Sequence, residues 1–298
     1  MTEKNSLSTH DEIKQLIADP KLRIRLYDRL RAISDVLITA TAEEHFPLNA
    51  KLDADEFALR LKRYEESSSE SVLVMLLIGL WGNSDHYLSI SVPVKQFSKQ
   101  LGKDSRSNQW TSLRLYPLVL LMYAVGIGAI TANNYAILYS FFQSTFNILS
   151  YPYNNVPLVY AIEEGFRTAQ GLFKFLPDFK NTYNPASEYL FNFFKDKLKE
   201  ILVFTDEYET VFDRFEIIYA LQYAFERGRI SGNVWGPIGR SGWKYSRGVE
   251  VNPFSLLCDE ASRAKESWPL LKAGFFDSSY ERFEQLAQQY AQELRGFR

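Results

Sequence analysis

The residues best suited to hold a ligand lie in a glycine-rich stretch from Arg227 to Arg247. This stretch contains five basic residues, two tryptophans and no acidic residue. Glycines leave backbone amides free to contact a phosphate beside Arg and Lys, and aromatic rings can stack on a base. The pattern predicts a site for an anion, a nucleotide or nucleic acid, formed by Arg229, Trp235, Arg240, Trp243, Lys244 and Arg247. Replacing Arg240 and Lys244 by Ala should then weaken binding of the ligand and leave folding intact.

The same stretch has a second interpretation. It is not a Walker phosphate loop, because Gly242 is followed by Trp243 and Lys244 rather than by Lys and Ser or Thr. Basic clusters on protein surfaces commonly have no specific ligand. The alternative is a structural loop whose tryptophans pack against helices and whose arginines pair with nearby acidic residues.

Other patterns that could carry chemistry are weak. Asp85 and His86 are neighbours, but adjacent residues do not have the helical spacing of metal ligands. Gly126 and Gly128 resemble part of a dinucleotide fingerprint, yet no acidic residue follows until Glu163, which favours glycines that pack helices. We therefore expect no catalytic residue, no metal and no cofactor, and a protein that is not an enzyme. A hydrolase with a site assembled from distant residues stays open as an alternative.

A long uncharged segment raises the question of a membrane. No acidic or basic residue occurs between Arg114 and Glu163, and the run from Tyr116 to Ala132 is almost wholly apolar. A spanning helix needs about 20 such residues, and this run is slightly shorter. The mean hydropathy of the chain is −0.22. These values favour a buried central helix, while a membrane-acting effector that uses residues 116–132 remains an alternative.

The fold is predicted to be all-α, a multi-helix bundle, because apolar residues recur at intervals of three and four. The segment 229–251, which its glycines interrupt, is predicted to form a loop or a short hairpin, and Glu65 to Ser71 a polar connector. One helical domain over 1–298 is expected, with a possible division into 1–104 and 105–298. Helix starts are predicted at Asp19–Pro20, Asp53, Asn184–Pro185, Asp206 with Glu209, and Ser278 with Glu281.

Composition limits the class of protein. The net charge of −2 predicts no general attraction to nucleic acid or to anionic lipid. A single cysteine, Cys258, excludes an internal disulfide framework and is interpreted as a buried thiol in a reducing setting. The first fifteen residues lack the apolar stretch of a signal peptide. We expect a cytoplasmic protein.

Three segments resemble parts of a known group of proteins: Leu115–Ala129 (LYPLVLLMYAVGIGA), Trp235–Arg240 (WGPIGR), and Leu271–Asp277 (LKAGFFD) leading into Arg282–Glu284. As a set they are similar to the helical C-terminal regions that follow effector domains in bacterial antiphage conflict proteins. The resemblance implies a role in recognition or assembly in the bacterial cytoplasm, and it transfers no catalytic residue. It implies a sensor or scaffold that stands alone, or a fragment of a longer protein.

The residues and the resemblance together predict a helical sensing, regulatory or scaffold module that binds a protein partner. Aromatic residues make up 15% of the chain, and such side chains are enriched at protein interfaces. An anionic ligand at the glycine-rich loop is the additional expectation.

Overall fold

The computed structural model describes residues 4–101, 108–147, 155–198, 207–249 and 252–296. The described residues form helices joined by short turns, with one pair of two-residue strands, which confirms the predicted all-α multi-helix fold. Two compact units are present, Met1–Lys180 and Asn181–Arg298. The expectation of one domain, with its alternative division at 104/105, stays a prediction.

The first unit contains nine α-helices within its described residues. Two strands pair antiparallel, with Thr145 opposite Pro157 and Phe146 opposite Val156. The elements are α1 Lys4–Ala18, α2 Arg23–Ala40, α3 Ala54–Trp81, α4 Tyr87–Ile90, α5 Val92–Leu101, α6 Gln109–Leu113, α7 Tyr116–Thr131, α8 Tyr135–Phe142, β1 Thr145–Phe146, β2 Val156–Pro157 and α9 Leu158–Gln170.

Helix α7 is the core of this unit, and every residue from Tyr116 to Ile130 is buried. Its most extensive contact is with α3. Among the described residues, one helical stretch, Gln109–Thr131, is long and apolar enough to cross a membrane, and 94% of its most apolar 18-residue window is buried inside the protein. Length and composition alone are weak evidence for a span, because buried core helices pass the same test.

The backbones of α3 and α7 approach each other at Gly79 and Gly128. A Cβ atom at Gly128 would lie 2.5 Å from the carbonyl oxygen of Leu76, and one at Gly79 would lie 2.6 Å from that of Val125. Any larger residue would force the two helices apart. Gly128 is thus a helix-packing glycine, as its sequence context favours.

The prediction of a polar connector from Glu65 to Ser71 is wrong. Helix α3 runs through this segment without interruption. Two of the acidic side chains there have partners on other helices. Glu65 accepts a hydrogen bond from the Tyr116 hydroxyl (2.8 Å), and Glu70 pairs with Arg29. The serines are small enough to be buried, as at Ser68 and Ser71. The segment is polar because it makes contacts between helices, and it does not end the helix.

The second unit is built around the long helix α11, which packs against α13 and α15. Its elements are α10 Pro185–Leu198, α11 Tyr208–Ser231, α12 Gly242–Ser246, α13 Pro253–Ala264, α14 Pro269–Lys272 and α15 Tyr280–Gly296. Helix α11 ends where Gly232 adopts a left-handed conformation (φ 71°). The segment that follows forms the predicted loop and then α12. The described residues of 229–249 contain no strand, and the strand pair in the described part of the chain joins Thr145–Phe146 to Val156–Pro157.

The predicted helix starts are correct at three positions and wrong at one. Asp19 and Asp53 accept hydrogen bonds from the backbone amides of Lys21 (2.9 Å) and Glu56 (3.0 Å), and α10 begins at Pro185. Ser278 does not cap α15, because its backbone is left-handed (φ 57°) and belongs to the preceding 3₁₀ turn. Ser279 caps α15 instead, through the amide of Arg282 (3.3 Å). Asp206, the predicted start of α11, lies outside the described residues.

The contact between Gly79 and Gly128 provides a direct test of the core. We expect Gly128→Ala to lower the free energy of unfolding by about 1–3 kcal/mol, because the added methyl group overpacks two helix backbones. Gly171→Ala is the matched control, since nothing lies within 4 Å of a Cβ there and its backbone is helical. That control should be neutral or slightly stabilising. Urea unfolding measures both, and equal stability of the two variants would contradict this view of the core.

Candidate functional site

The glycine-rich segment that follows α11, from Gly232 to Arg247, is held against α10 and α11 by polar contacts. The Asn184 side chain, just before α10, donates a hydrogen bond to the carbonyl oxygen of Gly239 (2.9 Å). Arg240 follows directly, and α12 then places Lys244 one turn further on. The two cations that were predicted to bind a ligand are therefore directed at the start of α11.

Arg240 and Lys244 both contact the carboxylate of Asp213, whose side chain is completely buried. Arg240 Nη1 donates to Asp213 Oδ1 (2.8 Å), and Lys244 Nζ donates to Asp213 Oδ2 (2.7 Å). Glu209, one turn earlier on α11, accepts from both cations, and Glu188 on α10 accepts from Arg240 Nε (3.2 Å). The Arg240 guanidinium also lies 3.8 Å from the ring centroid of Phe191. We name Glu188, Glu209, Asp213, Arg240 and Lys244 the charge cluster.

The protonation of the charge cluster follows from its geometry. Burial lowers the pKa of Arg240, but the carboxylates of Asp213 and Glu188 outweigh that effect and raise it above its ordinary value. Burial likewise lowers the pKa of Lys244, and its hydrogen bonds to Asp213 and Glu209 raise it overall. The hydrogen bond from Lys244 lowers the pKa of Glu209. Both cations are held in the charged form at neutral pH.

A second buried carboxylate, Glu216, lies one turn after Asp213 on α11. The Ser187 hydroxyl donates to Glu216 (2.7 Å to Oε1) and accepts from the backbone amide of Arg240 (2.8 Å). The amide of Arg240 also lies 3.2 Å from Glu216 Oε2. A Cβ atom at Gly239 would collide with this carboxylate, so the loop can reach it only with glycine at that position. These contacts fix the backbone that carries the Arg240 side chain.

Of the six predicted ligand residues, Arg240 and Lys244 come together on carboxylates of the chain itself, and Arg247 and Trp243 contact each other. Arg229 is exposed and pairs with Glu226 and Asp277. Trp235 packs edge-on against Tyr223, with ring centroids 6.3 Å apart. Arg247 lies over the ring of Trp243, which is 37% exposed. This arrangement agrees with the structural interpretation of the loop, and the ligand-binding role of the six residues stays a prediction.

The other chemistry-bearing residues have structural contacts. His86 is buried, which lowers its pKa, and its Nδ1 accepts a hydrogen bond from the backbone amide of Asn83 (2.9 Å) in a 3₁₀ turn. Burial raises the pKa of the Cys258 thiol to about 12, with a further contribution from Asp259. No three His, Cys, Asp or Glu side chains within the described ranges come together as a possible metal site.

A cationic surface that the sequence analysis missed lies on α2 and the turn before it. From Pro20 to Arg31 the chain has five basic residues and one acidic residue, in a protein of net charge −2. Arg29 is partly buried and pairs with Glu12 and Glu70. The other four basic residues are exposed, and none of them makes an ion pair with a residue that the structure describes: Lys21, Arg23, Arg25 and Arg31.

Two large apolar side chains are exposed among these cations. Ile24 is 67% exposed and Tyr27 is 41% exposed. Arg23, Tyr27 and Arg31 follow one another at intervals of four and so form one ridge along α2, with Ile24 in the adjoining ridge. The side of the helix that carries Leu26, Leu30, Ile33 and Leu37 is buried. We name Lys21, Arg23, Ile24, Arg25, Tyr27 and Arg31 the α2 face.

The position of these cations does not favour folding. The first turn of α2 contains no acidic residue, and Arg23 begins the helix. Cations near a helix N-terminus face the positive end of the helix dipole, and each such charge costs about 0.3–1 kcal/mol. Asp19 caps the preceding turn but is outnumbered by Lys21, Arg23 and Arg25. Helix stability gives no reason for positive charge at this end.

Comparison of the chain with protein-family models, with curated proteins and with solved structures finds no match. The resemblance to helical regions of antiphage conflict proteins therefore stays a prediction. Two of its three segments contribute to the core, since Leu118, Phe275 and Phe276 are fully buried, whereas Trp235–Arg240 is mostly half-buried.

The charge cluster gives a pH-dependent prediction. Because the pKa of Lys244 is raised by folding, its contribution to stability is complete below the ordinary lysine pKa of about 10.4 and is lost as the pH rises through the higher folded-state value. We expect Lys244→Met to lower the free energy of unfolding by about 1–3 kcal/mol at pH 8. The difference from the parent should shrink from about pH 10.4 upward.

Urea unfolding between pH 8 and pH 12 measures this difference. Lys272→Met is the control, because Lys272 is exposed and makes no ion pair with a described residue. It should match the parent at every pH. A deficit for Lys244→Met that is the same at both ends of the range, or no deficit at all, would show that Lys244 does not stabilise Asp213.

Proposed function

We propose that this protein is a helical interaction module that binds a protein partner through the α2 face. The observation that carries the proposal is an isoleucine and a tyrosine exposed between arginines that have no ion-pair partner among the described residues. Aromatic side chains and Arg are enriched in protein interfaces, and Tyr and Arg are among the residues that contribute most binding energy. The module would serve as a sensing, regulatory or scaffold component.

The contrast between the two cationic regions supports this location. In the glycine-rich loop, Arg240 and Lys244 are neutralised by Asp213 and its neighbours. On α2, Arg23 and Arg25 lie at the positive end of the helix dipole, and none of the four exposed cations has such a neutralising contact with a described residue. Exposed cations that do not stabilise the fold, next to exposed apolar side chains, are best explained by contact with a binding partner.

The cellular setting is part of the same proposal. The similarity of three segments to helical regions of antiphage conflict proteins supports a role in bacterial defence in the cytoplasm. The membrane-acting effector that uses residues 116–132 and the hydrolase are the alternatives. Burial of α7 and the structural role of His86 give these alternatives less support than the α2 face gives a partner-binding module.

Affinity capture from a bacterial lysate, with and without phage challenge, tests the proposal. The parent protein is compared with Ile24→Ser/Tyr27→Ser and with the control Leu256→Ser/Tyr183→Ser, which changes an exposed aliphatic residue and an exposed tyrosine outside α2 (47% and 61% exposed). We expect the parent and the control to retain the same partner protein. The α2 variant should retain it at least about tenfold less, as loss of central interface residues does.

Two results would contradict the proposed function. One is that the parent retains no specific protein under either condition. The other is that the α2 variant and the control variant lose the partner to the same extent.

A further inference from the structure

The geometry points to an acidic segment of another protein as the partner that binds the α2 face. In this segment, carboxylates surround an apolar side chain that contacts Ile24 and Tyr27. This inference rests on the proposed function and names the class of partner. It follows from the arrangement of the charges and the apolar side chains on α2.

Charge complementarity is the first argument. Lys21, Arg23, Arg25 and Arg31 are four exposed positive charges distributed around the first turns of α2 and the turn before it, and Asp28 is the acidic residue among them. Within the described residues no carboxylate neutralises these four. A partner that brings Asp or Glu side chains would be attracted to this surface and aligned on it.

The apolar side chains decide between classes of anionic partner. Ile24 and Tyr27 lie between the cations, where they would contact an apolar side chain of a protein segment. Nucleic-acid interfaces are more polar than this arrangement. A nucleic-acid partner is therefore disfavoured.

An anionic membrane is disfavoured by the orientation of the helix. A helix that lies in a lipid interface inserts a broad apolar face. The apolar face of α2 is instead buried in the protein through Leu26, Leu30, Ile33 and Leu37. Two outward apolar side chains suit a small pocket or ridge on a protein better than a lipid surface.

Photo-crosslinking of the full chain tests the inference at the contact itself. Tyr27→p-benzoylphenylalanine places the crosslinker between Arg23 and Arg31, and crosslinking is performed in bacterial lysate, followed by mass spectrometry of the crosslinked segment. We expect a protein segment with several Asp or Glu residues within about ten positions of the crosslink, which corresponds to the stretch of chain from Lys21 to Arg31. Leu256→p-benzoylphenylalanine should not label that segment.

Charge reversal on the α2 face is the second measurement. Arg23→Glu/Arg25→Glu in the crosslinking background should reduce the yield at least tenfold, whereas Lys174→Glu/Lys272→Glu, an equal change of charge at two exposed lysines, should leave it within twofold. Because the α2 reversal places acidic residues at the N-terminal end of the helix, we expect it to unfold no earlier than the parent on heating. Loss of crosslinking then reflects lost binding and not lost folding.

The outcomes separate the two proposals. A crosslink to a protein segment that is neutral or basic, or a yield that the α2 reversal leaves unchanged, overturns the acidic partner and leaves the proposed function standing. Crosslinks to nucleic acid that a nuclease removes, or to lipid, overturn the acidic protein segment in favour of those partners. The absence of any specific crosslink from position 27 would overturn the proposed function itself.

Discussion

A completely buried carboxylate, that of Asp213, sets the main constraint on the second unit of this protein. An ionised side chain in the interior is tolerated only when cations and hydrogen bonds replace the lost water. Arg240 and Lys244 supply both, and each donates to a different oxygen of Asp213. The loop must therefore cross α11 at this point, with Gly239 against Glu216 and α12 directly after it.

This constraint bears on where the protein can bind other molecules. A cation that neutralises a buried carboxylate is not readily given up to a ligand, since its removal leaves an uncompensated charge in the interior. Lys21, Arg23 and Arg25 of the α2 face are in the opposite situation, because they stand at the unfavourable end of a helix dipole without an ion-pair partner in the described part of the chain. Both regions are rich in basic residues, and their surroundings give them different roles.

The sequence predicts local features better than contacts between distant segments. The caps at Asp53 and Asp19 depend on neighbouring residues and were predictable. The continuation of α3 through Glu65–Ser71 depends on Tyr116 and Arg29, which are distant in the sequence. The loop looked unneutralised because its acidic partners lie outside it, on α10 and α11. The α2 face lies in a stretch of twelve residues of which five are basic, but the overall charge of −2 concealed it.

The most direct test of this account is a double-mutant cycle between Asp213 and Arg240, measured by urea unfolding at pH 7. We expect Arg240→Met alone to lower the free energy of unfolding by about 3–5 kcal/mol, because Asp213 would lose one of its two cations. The exposed control Arg247→Met should change it by less than about 0.5 kcal/mol. With Asp213→Leu present, Arg240→Met should cost at least about 1.5 kcal/mol less than it does alone. Additive effects, or an Arg240→Met variant as stable as the control, would contradict the account.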